Sequence, residues 1–178
     1  VGGSASATYS GAMSGFGALV VNGSGALTLS GANSFAGGAT VSGGTALAGS
    51  DTAFGTGTLT VTGAINTTVS GGNGAVTLNS QDALNVNGGI TAGAGSVTLK
   101  ANQDGAGAQG FSQADATTIS GTGIAITVNT GAGTGTGGAV LSTLTDAGAL
   151  SITTDNTAHT AGGSITRTAT STLSGTSV

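Results

Sequence analysis

One histidine and six aspartates, with no glutamate or cysteine, are the only imidazole, carboxylate or thiol side chains that the 178 residues offer for acid–base, nucleophilic or metal chemistry. His159 lies close to Asp155 amid many serines, the ingredients of a nucleophilic triad. The stretch around it, "TDNTAHTAGG", has the composition of a surface turn held by side-chain-to-backbone hydrogen bonds, and that is the reading adopted. Cleavage of a glycosidic bond needs several carboxylates, often with Lys or Arg, converging on one face. Asp51, Asp82, Asp104, Asp115, Asp146 and Asp155 are instead scattered one to a region and read as turn residues. Calcium-binding solenoids repeat Gly-Gly-x-Gly-x-Asp, and no copy occurs. "NQDGAG" (Asn102 to Gly107) has the start of a calcium loop without its regular later ligands, so it reads as a plain turn. "TGAGTGTGG" (Thr130 to Gly138) lacks the Lys-Ser/Thr ending and the following helix of a phosphate cradle. The expectation is therefore no enzyme, with no catalytic, cofactor-binding or metal-ligating residues and no cofactor.

The charge balance removes further classes. Lys100 and Arg167 are the only strong cations, and the formal net charge is −4. Two isolated cations cannot displace the counterions of a phosphate backbone, so nucleic acid is not an expected partner. No stretch of about 18 apolar residues is present, so no transmembrane segment is expected. With 37 Gly and no Pro, collagen is excluded, because its strict three-residue glycine period and its imino acids are missing. Hydrophobic residues make up 37% and mean hydropathy is +0.32, whereas disordered chains combine low hydrophobicity with high net charge.

The elements that would position any functional residue are short. Ala18 to Val21, Ala26 to Leu29, Thr58 to Val61, Ala75 to Leu78, Ser96 to Leu99, Ala125 to Val128 and Ala149 to Thr153 are runs of apolar residues and Thr separated by Gly with Ser, Asn or Thr. Each is too short for a helix and has the period-two pattern of a strand with one buried face. Val76 aligns with Val97, and Val97 with Ile119, at nearly equal steps. A period of about 20 residues divided into short strands predicts an all-β fold, a parallel β-helix (β-solenoid) of roughly eight or nine coils and a rod on the order of 40 Å long. Alternate apolar residues such as Leu27 and Leu29 point inward, Thr and Ser point outward, and Gly and Asn take the corners. The alternative is an antiparallel β-sandwich or meander in which "ALVVNGSGALTL" is a hairpin turning at Asn22 to Gly25. The solenoid is preferred because the turns lack the charges and Pro that protect sandwich edges.

Residues 8 to 62 carry a resemblance. "SGAMSGFGALV", "GSGALTLSGANSFAGGATVSGGTALAG" and "AFGTGTLTVTG" resemble the autotransporter-associated β-strand repeat of secreted bacterial passenger proteins, with Phe35 as its aromatic. Val21 and Asn22 stand where that repeat usually has Lys, and Ala39 where it commonly has Thr. Residues 74 to 128, with "GAVTLNSQDALNVNGGITAGAGSVTLKA", are similar to the stalk repeats of filamentous-haemagglutinin-type exoproteins. These resemblances imply one right-handed β-solenoid domain over residues 1–178, autotransporter-like over 1–62 and haemagglutinin-stalk-like over 63–178. They also imply a bacterial protein that is secreted or held at the cell surface.

Two features bear on what such a rod does. Its outward Thr, Ser and Asn make a neutral wall that either packs against copies of itself or glycans, or stays an inert solvated face. Neither "VGGSASATYS" nor "STLSGTSV" has the character of a solenoid cap. The expectation is either a slice of a longer passenger or ends that pair with other subunits. The leading expectation is an extracellular structural protein, a subunit or segment of a surface fibre, sheath or stalk assembling by strand pairing at its ends. The alternative is an adhesin segment whose lateral Thr/Ser/Asn face binds a glycan or host surface. "QDGAGAQGFSQADA" (103–116) breaks the strand cadence and is the candidate contact loop, with Gln103, Asp104, Phe111 and Asp115. Phe111 is either the loop's one large apolar group or a core residue.

Overall fold

The computed structural model describes residues 3–42, 45–48, 50, 52–66, 74–130, 134–154 and 163–176. Among the described residues, nineteen strands, β1 (Ala7–Tyr9), β2 (Leu19–Val21), β3 (Ala26–Leu29), β4 (Ala39–Val41), β5 (Thr45–Ala48), β6 (Leu59–Val61), β7 (Ile65–Asn66), β8 (Val76–Asn79), β9 (Leu84–Val86), β10 (Ile90–Thr91), β11 (Val97–Ala101), β12 (Phe111–Gln113), β13 (Thr118–Gly121), β14 (Ile124–Val128), β15 (Ala139–Leu141), β16 (Thr143–Asp146), β17 (Ser151–Thr153), β18 (Ile165–Arg167) and β19 (Leu173–Ser174), pair in parallel. They form four stacks: sheet A (β1, β3, β5), sheet B (β2, β4, β6, β9, β12, β15, β18), sheet C (β7, β10, β13, β16, β19) and sheet D (β8, β11, β14, β17). Consecutive strands lie in different sheets, and each strand pairs with its equivalent one coil away. This is a parallel β-solenoid. The hairpin alternative fails because β2 and β3 belong to different sheets, and β2 pairs in parallel with β4.

Sheet B runs through the described chain and fixes the rungs. Its seven strands are fewer than the eight or nine coils expected, because the coil lengthens along the chain. Leu19, Ala39 and Leu59 pair at one short, constant step; the step then grows from Leu59 to Leu84, again from Leu84 to Phe111, and again from Phe111 to Ala139. The first coils alternate sheets A and B; from β6 onward each coil visits sheets B, C and D. Val76 stacks on Val97 as the sequence predicts, but Val97 then pairs with Ile124 in sheet D, and Ile119 pairs with Ile90 in sheet C. The alignment of Val97 with Ile119 is therefore corrected: similar texture in two different sheets produces it.

Alternation decides which side chains are buried. In β11 and β14 every odd position, Val97, Leu99 and Ala101 and then Ile124, Ile126 and Val128, is at most 1% exposed. Burying each large aliphatic side chain contributes about 1.5–3 kcal/mol, and stacking equivalent residues makes the core a continuous column. The corners require glycine where coils approach closely. A Cβ at Gly31 would collide with the Gly11 carbonyl oxygen, and one at Gly137 with that of Gln109. The segment 103–116 is not a single loop. Residues 102–110 turn the corner from sheet D to sheet B, 111–113 form β12 in the central sheet, and 114–117 turn toward sheet C.

Candidate functional site

Of the four candidate contact residues, Phe111 is a core residue at 2% exposure, paired with Leu84 and Ala139. Gln103 is half-buried on the corner between sheets D and B, and Asp104 is exposed beside it. Asp104 Oδ1 accepts the Ala106 N–H at 3.0 Å, the side-chain turn its residue type favours. Asp115 is exposed on a different corner, between sheets B and C. Its carboxylate accepts the Ala116 N–H at 3.0 Å and the Thr170 hydroxyl. Hydrogen bonds from the Thr170 and Thr168 hydroxyls, with smaller backbone contributions, hold its carboxyl below the usual range. The four residues thus belong to three places in the fold.

The remaining carboxylates are also distributed among corners. Asp82 occupies the sheet D to sheet B corner one coil before Asp104, and burial, with the Asp104 charge, pushes its carboxyl up. Asp146 ends β16 and is 6% exposed. It accepts the N–H groups of Gly123 at 2.7 Å, Ile124 at 2.8 Å and Gly148 at 2.8 Å, joining two coils. Burial opposes its ionisation, but the backbone N–H groups of Ile124, Gly148 and Gly123 outweigh that and leave its carboxyl below the usual range. Asp51, Asp155 and His159 lie outside the described residues. Among the described residues no group of three or more His, Cys, Asp or Glu could hold a metal ion, and no helix is long and apolar enough to cross a membrane.

The buried polar groups are where reading by composition fails. Asn102 and Asn129 are 0% exposed, with φ of 52° and 63°, and stack one coil apart at the end of sheet D. Asn102 Nδ2 donates to Asn129 Oδ1 at 2.6 Å; Asn129 Nδ2 donates to the carbonyls of Gly137 at 2.8 Å and Thr154 at 2.7 Å. Gln113 donates to the carbonyls of Thr117 and Thr143 and accepts the Ser142 N–H. Asn33 does the same for the early coils, accepting the Met13 N–H at 2.8 Å and donating to the Ala53 carbonyl at 2.6 Å. A signal is present in the sequence: "VTLKAN" and "IAITVN" each place Asn directly after a strand.

The outer face of sheet B is the longest continuous surface. Val20, Thr40, Thr60, Asn85, Ser112, Val140 and Thr166 form one outward column in register. Ser112 Oγ donates to Asn85 Oδ1 at 2.7 Å, and a shallow groove of about 450 Å³ runs past Asn85, Ser112, Val140 and Thr166. Hydroxyl, amide and aliphatic groups in a row can hydrogen-bond and pack against an extended neutral partner.

Residues 19–45 match the family described as Passenger-associated-transport-repeat. The match spans β2, β3 and β4, the coil braced by Asn33, and agrees with the autotransporter resemblance carried by those residues. No curated protein and no solved structure matches the chain. The repeat suggests an autotransporter passenger domain, an extracellular module.

Proposed function

We propose, from the premise that this passenger repeat is an extracellular module, that the chain is a structural segment of a surface stalk or fibre that lengthens by stacking strand on strand. The observation that carries the reading is the continuity of sheet B, whose seven strands stack in parallel and in register from β2 to β18 across the point where the coil widens. One inward column, Ala39, Leu59, Leu84, Phe111 and Ala139, is at most 2% exposed, so each coil buries its apolar face against the next and stability accumulates coil by coil as the rod lengthens. Lateral charge is too sparse to repel neighbours along the rod.

Electron microscopy of the purified chain across a dilution series tests this. Filaments that shorten on dilution, with an axial repeat of about 4.7–4.9 Å, support stacking at the ends. Particles that stay single at the highest concentration, and that also occur without flanking solenoid in the native protein, contradict it. The second reading is an adhesin segment, favoured by the groove beside Asn85 and Ser112. A glycan array gives binding that falls on changing Asn85 if that reading holds, and no signal above background if it does not.

A further inference from the structure

Sheet C differs from its neighbours in what it turns outward. Among the described residues, every outward side chain of β10, β13, β16 and β19 is a hydroxyl: Thr91, then Thr118 with Ser120, then Thr143 with Thr145, then Ser174. Thr172, just before β19, joins them, because the Leu144 N–H meets its carbonyl at 2.8 Å and so sets it beside Thr143. The parallel register gathers these residues into two columns, Thr118, Thr143 and Thr172 in one, and Thr91, Ser120, Thr145 and Ser174 in the other. Sheet D, by contrast, sets Ala125 beside Thr98 and Lys100 beside Asn79, and sheet B interrupts its column with Val20, Asn85 and Val140. No outward residue of sheet C is charged, and Asp146 at the end of β16 is turned inward onto backbone N–H groups.

The result is a grid of hydroxyls. Neighbours within a column lie about 4.7–4.9 Å apart, and the two columns lie two residues, or about 6.6 Å, apart. Hydroxyls bond at about 2.7–2.8 Å, so this grid is too open for its members to satisfy one another. Among the described residues nothing else bonds the hydroxyls of Thr91, Thr118, Thr143 and Thr145, while Ser120 and Ser174 reach the Ile90 and Leu144 carbonyls only at 3.4 and 3.3 Å. Each hydroxyl therefore holds water, and the water in the trough between the columns repeats with the coil. Second neighbours in a tetrahedral water network with bonds of about 2.75 Å lie about 4.5 Å apart, close to that repeat. The grid is also fixed in advance. Gln113 ties the Thr117 and Thr143 carbonyls and the Ser142 N–H at one border, and Asp146 ties Gly123, Ile124 and Gly148 at the other. Threonine itself has few side-chain rotamers, so its hydroxyl loses little freedom on contact. We infer that the outward face of sheet C binds the surface of ice, with Thr118, Thr143, Thr145 and Ser120 at the centre of the contact.

Thermal hysteresis and ice-crystal habit in a solution of the dispersed full chain test the face. The expected result is a freezing point held below the melting point, with faceted crystals. Thr145→Tyr and Thr118→Tyr, both at exposed sites, should each abolish the hysteresis and the faceting. Neither hydroxyl braces the fold, so Tm should stay unchanged in both variants. Thr77→Tyr, on the outward face of sheet D, is the control and should keep full activity. Absence of hysteresis and faceting in the unaltered chain, or equal activity in the two sheet C variants, overturns the proposal. If the chain instead sediments with insoluble cellulose, loses that binding in the sheet C variants and leaves ice unaffected, the face belongs to a neutral glycan and the proposal fails. The face lies along the side of the rod, so neither readout depends on whether the chain lengthens into a fibre.

Discussion

The amino-terminal coils and the later coils solve the same stacking problem with different cross-sections. Up to β6 a coil is short, stepping from Leu19 to Ala39 to Leu59, and lays down strands in sheets A and B. From β6 the step along sheet B is longer, as from Leu84 to Phe111 and on to Ala139, and each coil lays down strands in sheets B, C and D. The wider coil encloses its core between three sheets. Leu84, Ile90, Leu99, Ile119 and Leu144 of the wider coils are 0% exposed, and the narrow coils reach the same burial at Leu29 and Leu59, at 1% and 0%. The polar bracing scales with the width. A single Asn33 spans three early coils, whereas the later coils use Asn102, Asn129, Gln113 and Asp146. Inserting residues at corners leaves the parallel register of sheet B intact, so a solenoid can change width without breaking its longest sheet.

Large-to-small substitution should separate the two regions most strongly. Phe111→Ala opens a cavity in the three-sheet coils and should cost about 3–5 kcal/mol, while Leu27→Ala, which removes a smaller side chain from the two-sheet coils, should cost about 2–3 kcal/mol. Chemical denaturation of both variants checks this, and equal losses would mean the two cores are packed alike. Next in size are the amide braces. Asn129→Ala strands the Asn102 amide and the Gly137 N–H in a buried corner and should cost about 2–4 kcal/mol. Asn33→Ala frees only the Met13 N–H and the Ala53 carbonyl, the former half-buried, and should cost about 1–2 kcal/mol.

The smallest effect is set by pH. The Asp146 carboxyl lies below its ordinary value when folded, so its contribution is complete above the unfolded carboxylate range and disappears as pH falls through the folded value. Tm measured on going from neutral into the acid range should fall more in the unaltered chain than in Asp146→Asn, which has already lost the charge-assisted bonds. At neutral pH that substitution should cost about 2 kcal/mol. Parallel acid profiles would show that Asp146 does not brace the wide coils.

Much of this is legible in the sequence, for reasons visible in particular residues. Val97, Leu99 and Ala101 alternate with Thr98 and Lys100, and that period alone places β11 with the right face inward. The early coils are legible because the step joining Leu19, Ala39 and Leu59 is short and uniform. The later coil length is hidden because corner residues carry no periodicity. The turn 102–110 and the equal-textured run at Ile119 together imitate a uniform short repeat. Asn102 and Asn129 look like corner residues because they sit at corners, and Asp146 ends β16 just before one; what composition cannot reveal is that their side chains bond to a neighbouring coil instead of water. Phe111 stays open in the sequence between a loop and the core because the strand that buries it is only three residues long.

The central claim, one parallel solenoid whose coil widens partway along the chain, is tested most directly by paired cysteines, which this cysteine-free chain makes unambiguous. In-register neighbours across a parallel ladder lie about 4.7–4.9 Å apart, within reach of a disulfide. Thr40→Cys with Thr60→Cys, and Thr98→Cys with Ala125→Cys, are both outward pairs in register, and each should oxidise fully to an intramolecular cross-link seen by mass spectrometry. A Thr98→Cys, Ser120→Cys pair, at the spacing of a coil that never widens, should remain reduced. Cross-linking of that pair in place of Thr98 with Ala125 would contradict the account.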